Sequence, residues 1–325
     1  MQIQAMKIGS LTIDFPVVLA PLAGYSDLAY RTIVRRLGCE FCTTEMMLDK
    51  CVLVTRRKKN PLIATDDLDH PCGGQLIGNE PKTMAAAAVK LQEMGFDLVD
   101  LNFGCPVHKA RKRRRGGYMM TQPDRVVAIA EAVVRAVDIP VTVKVRQKFE
   151  NDENHEAFYR LADGCRDAGA DAIIVHARSV EQKYAGQADW DFLREVRSRY
   201  PDWTVLGSGD ILDPAHALRM LDETGMDAAL AARGAIGNPW FFRQAKDLAA
   251  GRQPYQPDLA EQKEVLLEHM NLAVELYGPE KGPKIMRKHG IKYARMHPHP
   301  KQLRMAFVEV KSPEDWMTVV ENYYG

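Results

Sequence analysis

No apolar run in the 325-residue chain approaches the roughly 18 residues that a membrane-spanning helix requires. Residues 1–10 lack the apolar stretch of a secretory signal, and six cysteines are too few in so long a chain to indicate a disulfide scaffold. Hydrophobic residues make up 46% and charged residues 27%, which excludes disordered, collagen-like and coiled-coil classes. We therefore expect a folded cytoplasmic protein with reduced thiols and no membrane segment.

Net charge is close to zero, at +1, yet the basic residues are unevenly placed. Six basic residues and no acidic residue lie in residues 109–115, here called the first basic segment. Eight basic residues and no acidic residue lie in residues 281–304, the second basic segment. Because these segments together carry +14, the rest of the chain carries −13. Such a concentrated positive field favours a polyanionic partner.

Eight short apolar segments alternate with segments of helical periodicity. The predicted strands are residues 17–21, 41–46, 72–76, 98–103, 141–146, 172–177, 204–209 and 228–233. The predicted helices that follow them are residues 28–37, 81–94, 123–137, 157–168, 190–199, 214–222 and 238–249. Only the connection over residues 48–70 lacks a clear helical pattern.

Strands that alternate with helices imply parallel pairing, and eight such units in about 250 residues match a closed (β/α)8 TIM barrel. A doubly wound sheet is the alternative. Residues 252–257 contain two prolines and no apolar periodicity, which is typical of a linker. Helices are predicted beyond it over residues 259–276, 283–296, 300–308 and 313–323. The sequence thus predicts a barrel domain over residues 1–251 and a small all-helical domain over residues 252–325.

Polar residues or glycine end seven of the predicted strands: Glu45, Gln75, Asn102, Lys144, His176, Gly209 with Asp210, and Arg233. In a barrel of this kind the chemistry collects at the carboxyl ends of the strands. Any one of these residues could instead satisfy loop backbone groups. Seven in the same position indicate a functional site at one mouth of the barrel.

Two glycine-containing loops follow the last two predicted strands, at residues 208–210 and 233–237. Barrels commonly bind a phosphate at this position, through exposed backbone N–H groups and a helix N-terminus. Either loop alone is ordinary turn chemistry. Their paired position predicts a phosphorylated cofactor.

Cys105 follows the fourth predicted strand in the sequence Asn-Phe-Gly-Cys-Pro over residues 102–106. The basic residues after it favour a thiolate, whereas a proton donor must keep its thiol until reaction. Both protonation states remain open from the sequence. A small buried hydrophobe is the alternative role for a lone cysteine.

The other thiols and histidines are weaker candidates. Cys39 and Cys42 have C-x-x-C spacing, and Cys51 and Cys72 would complete a four-thiolate metal site if the fold brought them together. Structural burial is the preferred interpretation for these cysteines and for Cys165. The pair His297 and His299 has no acidic or cysteine ligand nearby in the sequence. We therefore predict no metal site.

Motifs along nearly the whole chain resemble the tRNA-dihydrouridine synthase family. The segment A-P-L-A-G-Y-S-D at residues 20–27 is similar to the family's A-P-M-A-G-x-x-D, and residues 102–109 resemble its N-x-G-C-P-x-x-K. Further similar segments lie at residues 44–46, 75–78, 141–146, 176–179, 209–211, 233–240 and 286–289. The sequence departs from the family pattern at Ser208, at Gln147-Lys148 and at Gly116-Gly117-Tyr118, the last of which puts the RNA target in doubt.

The resemblance implies FMN as cofactor, NADPH as reductant, and reduction of uridine in tRNA to 5,6-dihydrouridine. Hydride would pass from reduced FMN to C6, and Cys105 would donate a proton to C5. The residues implied for FMN binding are Pro21, Leu22, Ala23, Gln75, Lys144, His176, Ser208, Gly209, Asp210, Ala232 and Arg233.

Both basic segments are suited to binding RNA phosphates without recognising the base sequence. The predicted RNA-binding residues are Lys109, Arg111, Lys112, Arg113, Arg114, Arg115, Lys284, Arg287, Lys288, Lys292 and Arg295. The alternatives are a reductase or dehydrogenase of a free pyrimidine, a dihydrouridine synthase that acts on rRNA, and a non-catalytic RNA-binding protein. Nothing in the sequence indicates a protein partner, so we expect a monomer.

Overall fold

Eight parallel strands close into a barrel in the computed structural model, which describes residues 3–55, 60–149 and 152–325. In chain order the strands are β1 (Met6–Ile8), β2 (Leu11–Ile13), β3 (Val17–Leu19), β4 (Cys42–Thr43), β5 (Met47–Leu48), β6 (Cys72–Ile77), β7 (Leu98–Asn102), β8 (Val141–Arg146), β9 (Ala172–His176), β10 (Thr204–Ser208) and β11 (Ala228–Ala231). The ring closes where Ala229 of β11 pairs with Val17 of β3. The predicted barrel is therefore confirmed, and the doubly wound sheet is wrong.

Helices follow the barrel strands and then form a separate group at the carboxyl end of the chain. They are α1 (Leu28–Arg36), α2 (Asp49–Val54), α3 (Pro81–Glu93), α4 (His108–Lys112), α5 (Pro123–Val134), α6 (Glu156–Asp167), α7 (Trp190–Arg199), α8 (Pro214–Thr224), α9 (Phe241–Ala249), α10 (Leu259–Tyr277), α11 (Gly282–Tyr293), α12 (Pro300–Glu309) and α13 (Pro313–Tyr324). Helix α2 lies in the connection where no helix was predicted, and α4 carries part of the first basic segment.

Aspartates fix where several helices begin. Asp27 accepts a hydrogen bond from the backbone N–H of Tyr30 at the start of α1, and Asp213 does the same for His216 at the start of α8. A carboxylate in this position satisfies an N–H group that has no partner within the helix. Helix α8 ends at Gly225, whose φ of +69° suits glycine.

The second predicted strand, residues 41–46, is interrupted. Thr43 of β4 pairs with Gly73, and Met47 of β5 pairs with Leu76, so four steps along one strand face three along β6. This extra residue is a β-bulge, which bends a strand and redirects its side chains. Here it turns Glu45 toward the loop after β3, where its carboxylate accepts the backbone N–H of Gly24 at 2.7 Å.

The hairpin of β1 and β2, which the sequence did not predict, covers the amino-terminal end of the barrel. Met6, Ile8 and Ile13 are buried against residues at the starts of barrel strands, such as Leu98 and Ala172. Closing this end leaves the carboxyl end as the open mouth.

The carboxyl-terminal helices pack around Met286, Phe307 and Trp316. The same apolar cluster includes Ala29 and Ile33 of α1, so the helices share a core with the barrel side. The predicted division after residue 251 follows α9, and residues 252–257 contain no helix or strand. The two-domain description stays a prediction.

A buried ion pair joins α1 to the connection between β5 and β6. Arg31 Nη2 lies 2.6 Å from Asp69 Oδ2, and both side chains are fully buried. Arg31 also donates to the carbonyls of Ser26 at 2.7 Å and Ala64 at 2.8 Å. Removing one partner of such a pair leaves an uncompensated buried charge.

We expect Asp69→Ala to lower the free energy of unfolding by about 3–5 kcal/mol, because Arg31 would then be buried without its partner. Urea denaturation followed by circular dichroism measures this change. The matched control is Asp124→Ala, which removes the exposed pair between Asp124 and Arg160 and should cost less than about 1 kcal/mol. Equal effects for the two variants would contradict the prediction.

Candidate active site

A large cavity of about 1380 Å³ opens at the carboxyl ends of the barrel strands. Its opposite wall comes from α11, α12 and the turn between them, including Ile291, Pro300 and Met305. One small-molecule ligand typically occupies a cavity of about 300–1,000 Å³. This cavity therefore has room for more than one ring system.

All twelve residues that the sequence proposes for catalysis and cofactor binding line this cavity. They are Pro21, Leu22, Ala23, Gln75, Cys105, Lys144, His176, Ser208, Gly209, Asp210, Ala232 and Arg233. The fold brings them together because each lies in the carboxyl-terminal half of a strand of the same barrel or in the loop that follows the strand.

Hydrogen bonds to the side-chain oxygen of Asn102 hold the backbone of Cys105 at the cavity wall. The side-chain oxygen of Asn102 accepts the backbone N–H groups of Cys105 at 3.0 Å and Gly104 at 3.2 Å. Asn102 Nδ2 donates to Gln75 Oε1 at 2.8 Å, and Gln75 Nε2 donates to the buried Asp100 carboxylate at 2.7 Å. Gln75 and Asp100 are register partners on β6 and β7, so this chain of bonds fixes the thiol to the sheet.

Two glycines pack on Cys105 from the other side. The backbone N–H of Gly117 donates to the Cys105 carbonyl at 2.9 Å. A Cβ at Gly116, whose φ is +58°, would lie 2.8 Å from the Cys105 Cβ, and a Cβ at Gly117 would lie 2.7 Å from Val180. The departure from the family pattern at Gly117 thus has a packing reason.

Burial raises the pKa of the Cys105 thiol above its ordinary value, although the backbone N–H of Val107 and the charges of Arg146 and Lys144 act to lower it. The sequence left thiol and thiolate open. The structure favours the thiol, which is the form that a proton donor needs.

At neutral pH the Lys144 side chain at the cavity is positively charged, whereas the His176 side chain is neutral. Burial lowers the pKa of Lys144 to about 8, against the attraction of Asp100, so the amine still carries most of its charge at neutral pH. Lys144 makes no hydrogen bond or ion pair within the described residues. Burial, together with Lys144 and Arg146, lowers the pKa of His176 to about 2, so this ring is neutral.

Two further residues at the cavity were not in the predicted set. Arg146 ends β8 and donates to the carbonyls of Gly104 at 2.9 Å and Ser179 at 2.8 Å. Tyr184 is 55% exposed at the mouth, with the guanidinium carbons of Arg146 at 5.8 Å and Arg233 at 5.2 Å from its ring centre. Arg146 could have been predicted from the sequence, because it ends a predicted strand. Tyr184 lies in a loop, and no local sequence pattern indicates its place at the cavity.

Asp210 organises the loops after β9 and β10. Its carboxylate accepts from Arg178 at 2.5 Å, from the backbone N–H of Ala188 at 2.7 Å and from Arg233 at 3.2 Å. Burial acts to raise its pKa, but these hydrogen bonds and charges lower it overall. Asp210 is thus a carboxylate that orients Arg233 beside the glycine loops.

Glycine is required in both of the loops predicted to bind phosphate. Gly209 has a φ of +133°, and an added Cβ would lie 2.7 Å from the Ala188 Cβ. A Cβ at Gly234 would lie 2.5 Å from the Ile211 carbonyl oxygen. The two loops therefore approach each other as closely as backbone allows, which is typical of a phosphate cradle.

The first basic segment is largely exposed beside the Cys105 loop. Lys109, Lys112, Arg113 and Arg114 are exposed, and Arg115 is half-buried. Arg111 is engaged, because its guanidinium lies 5.1 Å from the ring centre of Phe149 and 3.8 Å from Glu181. Most of this charge is available to a partner.

Some residues of the second basic segment face solvent, and others line the cavity. Lys284 and Arg287 are exposed on α11, whereas Lys288 is half-buried with its ammonium 5.2 Å from the ring centre of Tyr25. Lys292 and Arg295 line the cavity, and Arg295 donates to the carbonyl of Gly234. Lys301 and Arg304 of α12 also line it.

The remaining cysteines and histidines form no metal cluster among the described residues. Cys39, Cys42 and Cys72 are buried, whereas Cys51 is exposed on α2. His297 is buried, with Nε2 2.9 Å from the Tyr323 carbonyl and Nδ1 accepting the N–H of His299. Of the helices that the structure describes, none is long and apolar enough to cross a membrane.

A barrel with two closely packed glycine loops after its last strands and a buried thiol at its mouth is typical of a cofactor-dependent barrel enzyme. The family model described as dihydrouridine synthase matches residues 18–323, and this chain belongs to that family. It is 35% identical to a probable tRNA-dihydrouridine synthase of Rickettsia conorii, over 95% of this chain and 93% of the relative. It is 34% identical to tRNA-dihydrouridine synthase B of Xanthomonas campestris, over 98% and 96%. The resemblance seen in the sequence is confirmed.

Solved structures at lower identity share the fold. Morphinone reductase in complex with tetrahydroNAD superposes with a TM-score of 0.55 at 15% identity, covering 79% of this chain and 92% of that one. Histamine dehydrogenase from Rhizobium sp. 4-9 gives 0.60 at 15% identity, over 83% and 50%. These likenesses show the barrel architecture alone.

The raised pKa of Cys105 predicts slow alkylation at neutral pH, because iodoacetamide reacts with the thiolate. We expect the reaction rate, followed by mass spectrometry of the Cys105 peptide, to rise with a midpoint above the ordinary thiol value. Arg146→Met should move this midpoint to still higher pH, since the Arg146 guanidinium lowers the pKa of the thiol and, with a pKa of about 10, keeps its charge after the Lys144 amine has lost its proton. Lys7→Met, on β1 at the other end of the barrel, is the control. A midpoint below the ordinary value would show that the basic residues outweigh burial.

Proposed function

We propose that this protein reduces the C5–C6 double bond of uridine in tRNA to 5,6-dihydrouridine. The observation that carries the proposal is the Cys105 thiol, kept protonated by burial at the wall of a cavity that it shares with the expected flavin ligands. The names of the relatives support tRNA as the substrate.

The cavity fits FMN on its donor set. Lys144 offers an ammonium with no partner among the described residues, and Gly209 and Gly234 shape a cradle that side chains would fill. Gln75 uses one amide N–H for Asp100 and one lone pair for Asn102, which leaves one of each for a ligand.

Each wall of the cavity has a role in this assignment. Pro21, Leu22 and Ala23 would line the flavin ring, Gln75 and Lys144 would hydrogen-bond its polar edge, and His176 would also contact the cofactor. The residues that would hold its phosphate end are Ser208, Gly209, Asp210, Ala232 and Arg233. When bound and reduced by NADPH, FMN supplies a hydride for C6 of uracil.

Cys105 supplies the proton for C5. Its S–H bond breaks as the C5–H bond forms, and the sulfur keeps the electron pair as a thiolate. Arg146 and Lys144 stabilise that thiolate, because their positive charges lower the pKa of Cys105. The thiolate then recovers a proton from water, since burial restores the thiol as the preferred form.

The basic segments hold the RNA around this cavity. A uridine must leave its stack to reach Cys105, so the neighbouring nucleotides need a firm grip. Exposed cations of the first segment lie on the Cys105 loop, and Lys284 and Arg287 extend the positive surface onto the helical region over residues 252–325. A tRNA substrate and an NADPH reductant are consistent with work in the cytoplasm.

We expect Cys105→Ala to lower the rate of dihydrouridine formation by about 10²- to 10⁴-fold, because the proton donor is lost. The measurement is the two-hydrogen mass gain on uridine in unmodified tRNA incubated with NADPH. The variant should retain bound FMN and RNA affinity, and Cys51→Ala, which removes an exposed thiol, should react normally. Reduction of free uridine as efficiently as tRNA would favour a small-molecule reductase instead.

RNA affinity should fall steeply with salt, because each phosphate contact releases counterions. Replacing Lys112 or Arg287 by Met should reduce the slope of log K against log salt by about 0.7–0.9 per lost contact. Filter binding of tRNA between low and physiological salt measures the slope. Arg135→Met, an exposed arginine paired with Glu131 on α5, should leave the slope unchanged. A tRNA affinity that does not change with salt would contradict the proposed phosphate contacts.

A further inference from the structure

The loop over residues 233–238, which follows β11, is fastened from outside the barrel strands. The hydroxyl of Tyr30 donates to the Ala235 carbonyl at 2.6 Å, and Arg295 donates to the Gly234 carbonyl. A Cβ at Gly237 would overlap the backbone carbonyl of Lys292. Gly234, Ala235 and Gly237 are therefore contacted by α1, by α11 and by the turn that follows α11.

Tyr30 connects the loop to the carboxyl-terminal helices. Its side chain is fully buried, and its ring centre lies 5.6 Å from that of His269 on α10 and 5.4 Å from that of His289 on α11. Tyr30 does not line the cavity, and its hydroxyl contacts the loop instead. Any effect of Tyr30 on a ligand must act through the loop.

Arg295 approaches the loop from the turn Ala294–Met296, directly after α11. The sequence assigns this residue to RNA binding, together with Lys284 and Arg287. In the structure its guanidinium donates a hydrogen bond to the carbonyl of Gly234, the residue directly after Arg233. A hydrogen bond to this carbonyl fixes the peptide plane between Gly234 and Ala235.

We infer that Arg295 and Tyr30 are positioning residues for the phosphate end of the cofactor site. They hold residues 233–238 in the form that receives the phosphate, so the helical region contributes to cofactor binding as well as to the RNA surface. This inference rests on the proposed function, since it takes this loop as the ligand of the FMN phosphate.

The test compares FMN with riboflavin, which has the same ring but no phosphate. Each flavin is titrated into the full-length apoprotein, and the dissociation constant is read from the quenching of flavin fluorescence. The variants are Arg295→Met and Tyr30→Phe. Lys311→Met is the matched control, because it removes an exposed cation of the helical region that does not line the cavity. Thermal unfolding of each apoprotein verifies that it is folded.

We expect Arg295→Met and Tyr30→Phe each to raise the dissociation constant of FMN by about three- to tenfold, the effect of one hydrogen bond. Riboflavin affinity should stay at the wild-type level in both variants, and Lys311→Met should bind both flavins normally. The selective loss of FMN affinity is a result that general destabilisation would not produce.

Four results would overturn the inference. Equal weakening of FMN and riboflavin would mean a purely structural role. An effect of Arg295→Met without one of Tyr30→Phe would mean that Arg295 contacts the phosphate directly. Wild-type FMN affinity in both variants would refute the inference alone, whereas a wild-type protein that binds no FMN would overturn the proposed function together with it.

Discussion

The site depends on a chain of hydrogen bonds that begins at a buried carboxylate. Asp100 lies inside the barrel, where burial raises its pKa, and it accepts from Gln75 at 2.7 Å and from Thr142 at 2.8 Å. Gln75 in turn orients Asn102, which holds the backbone of Cys105. Because every link is buried, loss of any one leaves a polar group unsatisfied, at a cost of about 1–3 kcal/mol. The position of the thiol is therefore as rigid as the barrel.

Two opposing effects set the chemistry of that thiol. Cations beside Cys105 favour the thiolate, and burial favours the thiol; burial is the larger effect. The balance suits a proton donor, which must hold its proton before the reaction and leave a stabilised anion afterwards. The sequence displayed the cations but not the burial, so it left both protonation states open.

Local sequence patterns were enough to predict the barrel and many of the residues that line its mouth. Lys144 and His176 were predicted because Lys144 lies near the carboxyl end of a strand and His176 ends one, and these ends meet at one edge of a parallel barrel. Features that depend on distant contacts were missed. The bulge at Glu45 follows from pairing with β6, and Tyr184 reaches the cavity through a loop. Arg295 was assigned by its charge, and only the fold reveals its carbonyl partner.

Helix α11 has an exposed basic face and a buried face, and its last turn reaches the cavity. Lys284 and Arg287 point to solvent, whereas Met286 and His289 lie in the core. One turn further on, Lys292 lines the cavity. Since an α-helix rises 1.5 Å per residue, eight residues from Lys284 to Lys292 span about 12 Å. If Lys284 binds a phosphate as proposed, that phosphate would lie about one such length from the cavity wall at Lys292. On the proposed arrangement, selection of the uridine would depend on where the RNA backbone is held, and the cavity itself would need to recognise little more than a pyrimidine.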